Sequence, residues 1–192
     1  MAAAAAGGQE ATPIDIDRIA RAIDPRKMGP RGLLQLVETV DLLSRAEAGV
    51  ELAGVRTPTL VSLLAKATDA QLNAVAAAPA ARALVLDEVF RRMSEHLRAD
   101  RAATTRGVVR WRIACGGEYQ RFQTVVADGA CITGSELDRT PRVTLTLSMA
   151  DFLRMAVGDV GVTRLLAARR LRLRGDLRFA LRLAGLFDIP KS

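Results

Sequence analysis

The sequence is poor in the residue types on which most enzyme and metal sites depend. Its 192 residues include one histidine, two cysteines and 4% aromatic residues. One histidine cannot build a histidine-based metal site, and the sequence contains no Gly-x-Ser-x-Gly, His-Glu-x-x-His or phosphate-binding glycine motif. We therefore expect a non-enzymatic protein that uses neither a metal nor a cofactor.

The two cysteines, Cys115 and Cys131, fall in predicted strands and lack the spacing of metal ligands. An intracellular chain would keep them reduced, and we interpret them as small buried apolar side chains. A disulfide remains open only if their two strands are neighbours.

Long apolar runs are also absent, although 49% of the residues are hydrophobic. Arginines interrupt every run before it reaches the ~18 residues of a membrane-spanning helix. Residues 1–12 are rich in alanine and glycine without the basic leader of a secretory signal, and we interpret them as a disordered tail. We expect a soluble, cytoplasmic protein.

The charge is unbalanced, with a net charge of +7 and only three lysines among 28 basic residues. Such a chain attracts anionic partners in general. A GC-rich genome would equally explain the preference for arginine. Nucleic acid is the least favoured partner, because no helix-turn-helix is evident and aromatic residues are too few for stacking platforms.

Residues 13–81 are predicted to form a helical subdomain of short helices. Apolar residues recur at helical spacing from Leu33 to Leu43, and Thr68 with Gln71 forms a capping box. No long polar linker follows, so we expect this subdomain to pack against the rest of the chain. The sequence assigns it no role.

Pro79 opens a longer helix, and the hydrophobic period then changes. The apolar stripe of this helix leaves His96 outside it, so we expect His96 to be solvated. From Gly107 to Ser148 apolar residues alternate with polar ones, which predicts four strands. Asp128 and Gly129 predict a type I′ hairpin turn, so the first three strands form an antiparallel meander.

Two short helices follow, and then a fifth strand around Leu171 and Leu173. Because this strand comes after a helical crossover, it can lie beside an earlier strand in parallel. Asp176 caps a last helix with apolar residues at three- and four-residue spacing. Residues 82–190 are therefore predicted to form an α+β domain.

The order of elements from Leu84 to Ile189 resembles the sterol carrier protein 2 family. The likeness rests on the Val-Val-Arg-Trp-Arg-Ile strand, the Asp-Gly hairpin, the Thr-Leu strand leading into Asp-Phe-Leu, the Leu-Arg-Leu-Arg-Gly-Asp strand and turn, and the terminal Leu-rich helix. It implies an α+β fold whose five-stranded, mostly antiparallel sheet is covered by helices, here with an N-terminal all-α extension. Leu166 and Arg169 stand where the family usually has phenylalanine and glycine.

The resemblance also implies an apolar tunnel between the sheet and the C-terminal helices. We expect the following side chains to line it: Trp111, Phe122, Phe152, Met155, Leu166, Leu173, Phe179, Leu183, Leu186 and Phe187. The same side chains are compatible with an ordinary packed core.

The resulting hypothesis is non-enzymatic binding or carriage of a fatty acid, fatty acyl-coenzyme A or sterol-like molecule. The alternative is a protein-interaction or assembly module with a filled cavity and no ligand. Four arginines form a candidate anionic docking surface for a membrane, a coenzyme A phosphate or a partner protein, namely Arg169, Arg170, Arg172 and Arg174. They are equally compatible with a solvated edge that prevents aggregation.

Overall fold

The computed structural model describes residues 14–188, so the predicted tail at residues 1–12 lies outside the described part of the chain. The helices are α1 (Ile16–Ala22), α2 (Gly32–Arg45), α3 (Thr57–Lys66), α4 (Asp69–Ala77), α5 (Pro79–Glu95), α6 (Ala99–Ala102), α7 (Met149–Ala156), α8 (Val162–Ala167) and α9 (Leu177–Ala184). The strands are β1 (Gly107–Cys115), β2 (Glu118–Ala127), β3 (Ala130–Gly134), β4 (Val143–Ser148) and β5 (Leu171–Gly175). No helix between residues 14 and 188 combines the length and apolar character needed to cross a membrane.

The five strands form one sheet in the order β3-β2-β1-β4-β5. Neighbours are antiparallel except for β1 and β4, which confirms the predicted α+β fold and its mostly antiparallel sheet. The hairpin turn also agrees, since Asp128 and Gly129 have φ values of 52° and 77°. A type I′ turn requires positive φ at both positions.

The parallel pairing that the sequence allowed for the fifth strand does not occur, because β5 runs antiparallel to β4. The connection from β3 crosses the sheet and delivers β4 in the direction of β1, so the parallel pair is β1 with β4. The helices α7 and α8 then reverse the chain before β5. The crossover therefore lies one connection earlier than the sequence indicated.

One face of the sheet is apolar, and it faces the helices. Register places Trp111 opposite both Phe122 and Leu145, and Leu145 opposite Leu173, so one row of apolar side chains crosses four strands. Residues directly opposite each other in a sheet share a face, which brings such rows together. The arginines that alternate with them lie on the other face.

An aromatic cluster joins the helices to this inner face. Phe90 of α5 lies with its ring centroid 5.0 Å from that of Phe152 and 4.7 Å from that of Phe122. Trp111 is 1% exposed and donates its indole N–H to the Thr124 hydroxyl at 2.8 Å, which satisfies the one polar atom that its burial would otherwise leave unpaired. The cluster fixes the spacing between α5, α7 and the sheet.

The N-terminal helices pack against the rest of the chain, as the absence of a linker indicated. The buried apolar residues form one continuous core from Ala20 to Leu186. Arg154 of α7 donates to the Ala67 carbonyl at 3.0 Å and to Asp69 at 2.8 Å. The helical region and the sheet region therefore share a core and polar contacts.

The cysteines lie on strands that are not neighbours, β1 and β3. Both thiols are free and buried. Burial raises the pKa of Cys115 and of Cys131, which keeps each thiol protonated. The disulfide that the sequence left open does not form.

Candidate functional site

A cavity of about 180 Å³ lies between the inner face of the sheet and the helices. Side chains from β1, β4, α3, α5, α7, α9 and the loop after α7 line it. Its walls are mainly apolar, with Trp111 and Leu145 from the sheet and Phe152 from α7. Such a site accepts an apolar group by burying it.

Local capping places α7 over the sheet directly after β4. The Ser148 hydroxyl accepts from the Asp151 N–H at 3.0 Å and donates to the Asp151 carboxylate at 2.8 Å. These bonds begin α7 at a defined residue, so Phe152 and Met155 project toward the cavity. At the other wall, Asp176 accepts from the Phe179 N–H at 2.9 Å and begins α9.

Three polar side chains form one corner of the cavity, and we call Thr57, Arg92 and His96 the polar corner. Arg92 Nη1 donates to the Thr57 hydroxyl at 3.1 Å, and the same hydroxyl lies 3.1 Å from His96 Nε2. Arg92 also donates to the carbonyl groups of Leu52 and Val55. The corner therefore offers hydrogen-bonding groups that are already held in place.

A carboxylate balances the charge at this corner. Glu88 and Arg92 each have a side chain that is 7% exposed, and they contact at 2.6 Å. Burial alone would raise the pKa of Glu88, but hydrogen bonds and charge from Arg91 and Arg92 hold it below its ordinary value. Glu88 therefore stays ionised, and the buried charge of Arg92 is compensated.

His96 is half-buried and contacts Thr57, so the expectation of a solvated His96 is wrong. The residue lies outside the apolar stripe of α5, as the sequence indicated. It is the C-cap of that helix, and α3 covers the position. The sequence alone did not place α3 against the end of α5.

Half of the residues predicted to line a tunnel border this cavity, namely Trp111, Phe152, Met155, Leu183 and Phe187. The other five lie elsewhere in the fold. Phe122 packs on Phe90, Leu173 is half-buried on β5 and Leu166 is half-buried on α8. Phe179 and Leu186 are buried in the core.

Phe179 packs against the start of β1 rather than into the cavity. A Cβ on Gly107 would lie 2.6 Å from its ring, so Gly107 leaves the space that the ring occupies. The Arg142 guanidinium lies 4.8 Å from the ring centroid, within the range of a cation–π contact. This aromatic residue seals one end of the helix-to-sheet contact.

The sequence did not identify the wall that α3 contributes. Leu60, Val61 and Leu64 line the cavity from the helical region. Their spacing of one and four residues puts them on one side of a helix, which is a usable signal. Only the tertiary structure shows that this side meets the sheet domain.

The four arginines of the candidate anionic surface have different surroundings. Arg170 contacts Asp151 at 2.6 Å, whereas Arg169 is exposed with a φ of 56°. Arg172 and Arg174 are exposed on β5, opposite Thr146 and Thr144. These two point away from the cavity, because Leu145 and Leu173 occupy the other face.

Between residues 14 and 188, no cluster of three potential metal-ligating side chains is present.

Comparisons with known proteins agree with this geometry. Residues 86–188 match the model of the SCP-2 sterol transfer family. No curated protein is significantly similar to the chain. Similar solved structures include the apo form of sterol carrier protein 2 from Yarrowia lipolytica, at 17% identity and a TM-score of 0.45, over 55% of this chain and 88% of that one. Sterol carrier protein 2 like 2 from Aedes aegypti is 18% identical, with a TM-score of 0.42, over 55% of this chain and 99% of that one.

A longer likeness includes the helical region. A stereoselective inverting sec-alkylsulfatase from a Pseudomonas species is 14% identical with a TM-score of 0.51. The match covers 92% of this chain but only 33% of the alkylsulfatase. At that identity the likeness concerns the fold alone.

Proposed function

The chain belongs to the SCP-2 sterol transfer family, and on this premise we propose that it binds an apolar lipid in the cavity between sheet and helices and carries it unchanged. The candidate ligands are a fatty acid, a fatty acyl-coenzyme A and a sterol-like molecule. The observation that carries the proposal is the apolar cavity of about 180 Å³ beneath α7 and α9. We propose the cytoplasm as its compartment.

The chemistry of the walls supports a lipid. Burying apolar surface contributes about 25 cal/mol per Å², so an aliphatic segment binds there without a charged anchor. The polar corner would hydrogen-bond the carboxylate of a fatty acid, the thioester carbonyl of an acyl-coenzyme A or the hydroxyl of a sterol. Leu183 and Phe187 of the C-terminal segment border the same space.

A carrier role without catalysis is supported by the way the polar groups are used. Four of the five guanidinium N–H groups of Arg92 are directed at Glu88, Thr57 and two carbonyl groups. His96 contacts Thr57 rather than a carboxylate that would orient it as a base. These groups hold the cavity wall in place.

Native mass spectrometry and calorimetry test the proposal. We expect copurifying lipid, or uptake of palmitate or cholesterol by the emptied protein. Ala156→Phe should fill the cavity without burying a charge, and Leu183→Arg should abolish uptake. Leu181→Arg is the matched control, because Leu181 lies on the same helix and is 39% exposed.

An empty protein that takes up neither ligand would contradict the carrier proposal. It would favour the alternative of an interaction module with a filled core. The packing of Phe179 and Leu186 outside the cavity is the observation that keeps this alternative in view.

We further propose that the outer face of the sheet docks on an anionic membrane. Arg121, Arg112, Thr146 and Arg172 lie opposite one another across four strands. Within residues 14–188, none of these arginines forms an ion pair with a carboxylate. Such a row attracts anionic head groups, at about 1 kcal/mol per arginine near the surface.

Vesicle cosedimentation tests this docking surface. The intact chain should bind phosphatidylserine vesicles and leave phosphatidylcholine vesicles unbound. Charge reversal at Arg172 and Arg174 together should weaken binding at least tenfold, whereas the double reversal Arg178→Glu and Arg182→Glu on α9, which changes the net charge equally, should have a smaller effect. Equal effects of the two changes would mean that net charge alone drives binding.

A further inference from the structure

A second apolar cavity lies inside the helical region, which the proposed function leaves without a role. Its volume is about 260 Å³, and side chains from α1 to α5 line it together with Leu153 of α7. The lining is aliphatic, with Val37 and Val40 from α2 and Val75 from α4. Among the described lining residues, Thr39 is the one with a polar side chain, and its hydroxyl donates to the Gln35 carbonyl at 2.8 Å. We call this space the helical chamber.

The size of the helical chamber favours an apolar occupant over water. Water requires two to four polar partners in a cavity, and an aliphatic lining supplies none. An apolar cavity of roughly 150 Å³ stays dry and binds benzene, and this one is larger. The space therefore suits a hydrocarbon chain.

The chamber has a mouth along α1. Ile16, Ile19, Ala20 and Ile23 form an apolar stripe on this helix, and all four border the chamber. Ile19 is 53% exposed and Ile14, just before the helix, is 50% exposed. These side chains give a hydrocarbon chain a route from the surface.

A cationic pocket adjoins the chamber where α1 meets α3. Its volume is about 310 Å³, and its lining includes Arg21, Arg56 and Lys66. Ala20, Ile23 and Leu63 line both spaces, which makes them neighbours.

The cationic pocket keeps an excess of positive charge. Asp17 is buried and contacts Arg21 and Arg56, each at 2.7 Å. One carboxylate thus faces two guanidinium groups, and the described residues that line the pocket include no acid. The hydroxyl groups of Thr59 and Ser62 add hydrogen-bonding capacity beside Lys66.

From this juxtaposition we propose that α1 to α5 hold a second lipid site, selective for an anionic amphiphile with an aliphatic chain. The aliphatic chain occupies the helical chamber, and the anionic head group lies in the cationic pocket. We call the cavity between the sheet and the helices, described above, the sheet-side cavity. The second site is separate from it, because Leu60 and Leu64 of α3 stand between the two spaces and line both. The inference does not rest on the proposed function.

Calorimetric titration of the full chain with decanoate and with decanol tests the second site. The intact chain should bind one decanoate in the helical chamber, and the proposed function predicts a second decanoate in the sheet-side cavity. Val37→Phe, which fills the chamber, should remove one site, and Leu42→Phe on the same helix should remove none, because Leu42 is 67% exposed. Ala156→Phe should remove the other site. If Val37→Phe fails to fold, Leu36→Trp narrows the chamber from a half-buried position.

The head-group position has its own control pair. Lys66→Glu should weaken decanoate binding at the second site about tenfold and change decanol binding less than twofold. Lys27→Glu makes the same charge change outside the cationic pocket and should leave both affinities unchanged. Equal effects of the two variants would overturn the head-group assignment.

Two outcomes would overturn the second site itself. In the first, Ala156→Phe abolishes all decanoate binding and Val37→Phe changes none of it. Decanoate would then bind only in the sheet-side cavity, and the proposed function would stand. The other is a dimer in sedimentation velocity that Ile19→Glu dissociates, with no decanoate bound in the chamber. That result would assign the mouth to a second copy of the chain.

Discussion

The two cavities of this molecule are built differently. The sheet-side cavity is bounded by large rings, Trp111 and Phe152, and by the polar corner. The helical chamber is bounded by aliphatic side chains, and its charged groups lie in a separate neighbouring pocket. The first space therefore combines hydrogen-bonding groups and apolar groups in one wall, whereas in the second case the apolar lining and the charged groups belong to two separate spaces.

Two arginines of the sheet region, residues 82–188, form hydrogen bonds to the helical region, residues 14–81. Arg92 donates to the carbonyl groups of Leu52 and Val55, and Arg154 donates to that of Ala67. Each arginine therefore satisfies main-chain acceptors of the helical region from the other side of the contact. Substitution of these two arginines should show how far the stability of one region depends on its contacts with the other.

The largest expected effect on stability is that of replacing Arg92, the buried arginine between the two regions. Arg92→Met removes one of the two guanidinium groups that pair with the buried Glu88, and it removes the hydrogen bonds to α3 and the preceding loop. The three hydrogen bonds from Arg92 to Thr57 and to two carbonyl groups contribute about 1 kcal/mol each, so the expected loss is about 3 kcal/mol. Urea unfolding should show this loss in the free energy of unfolding. The control is Arg91→Met, which should cost about 1 kcal/mol or less because Arg91 is 43% exposed.

The same pair predicts a pH dependence. Because the folded pKa of Glu88 lies below its ordinary value of 4.5, the stabilisation is present above that value and is lost as the pH falls through the lowered pKa. Thermal unfolding between pH 6 and pH 2.5 should show the loss. Glu88→Gln should flatten this part of the profile, and an unchanged slope would contradict the assignment.

A smaller loss of stability is expected when Arg154 is replaced. Arg154→Gln removes the contacts to Asp69 and the Ala67 carbonyl, and Asp69 is 57% exposed. The expected cost is about 1 kcal/mol. Hydrogen exchange should localise the change to α4 and α7. A uniform increase of exchange across the sheet would show instead that the two regions unfold as one unit.

The smallest predicted effect has the opposite sign. Arg169 has a φ of 56°, a conformation that glycine adopts without cost. Arg169→Gly should raise stability by about 0.5–1 kcal/mol, after the larger unfolded-state entropy of glycine is subtracted. That corresponds to a rise of about 1–4 °C in Tm. Arg169→Ala removes the charge but keeps the strained conformation, so it should give no gain.

The sheet region was readable from the sequence because its signals are local. Alternation in β1 and β4, the Asp128 turn and the Ser148 cap each depend on residues a few positions apart. The direction of β5 was not readable, because it depends on where the β3 to β4 connection crosses the sheet. His96 and α3 were missed for the same reason, since their contact joins residues far apart in the chain.

The candidate sites divide in the same way. Trp111, Phe152 and Leu183 were found from an apolar stripe and the family resemblance, and they border the sheet-side cavity. The same pattern also selected Phe179, which fills the space above Gly107 instead. An apolar stripe predicts which face turns inward, but the packing of its partners decides whether that face leaves a void.

The position of Trp111 gives the molecule a built-in optical probe. It is the single tryptophan of the sequence, it is 1% exposed, and it borders the sheet-side cavity. Indole emission responds to the polarity and mobility of its surroundings. The emission of Trp111 should therefore change when a ligand occupies that cavity. It should change little when a ligand occupies only the helical chamber.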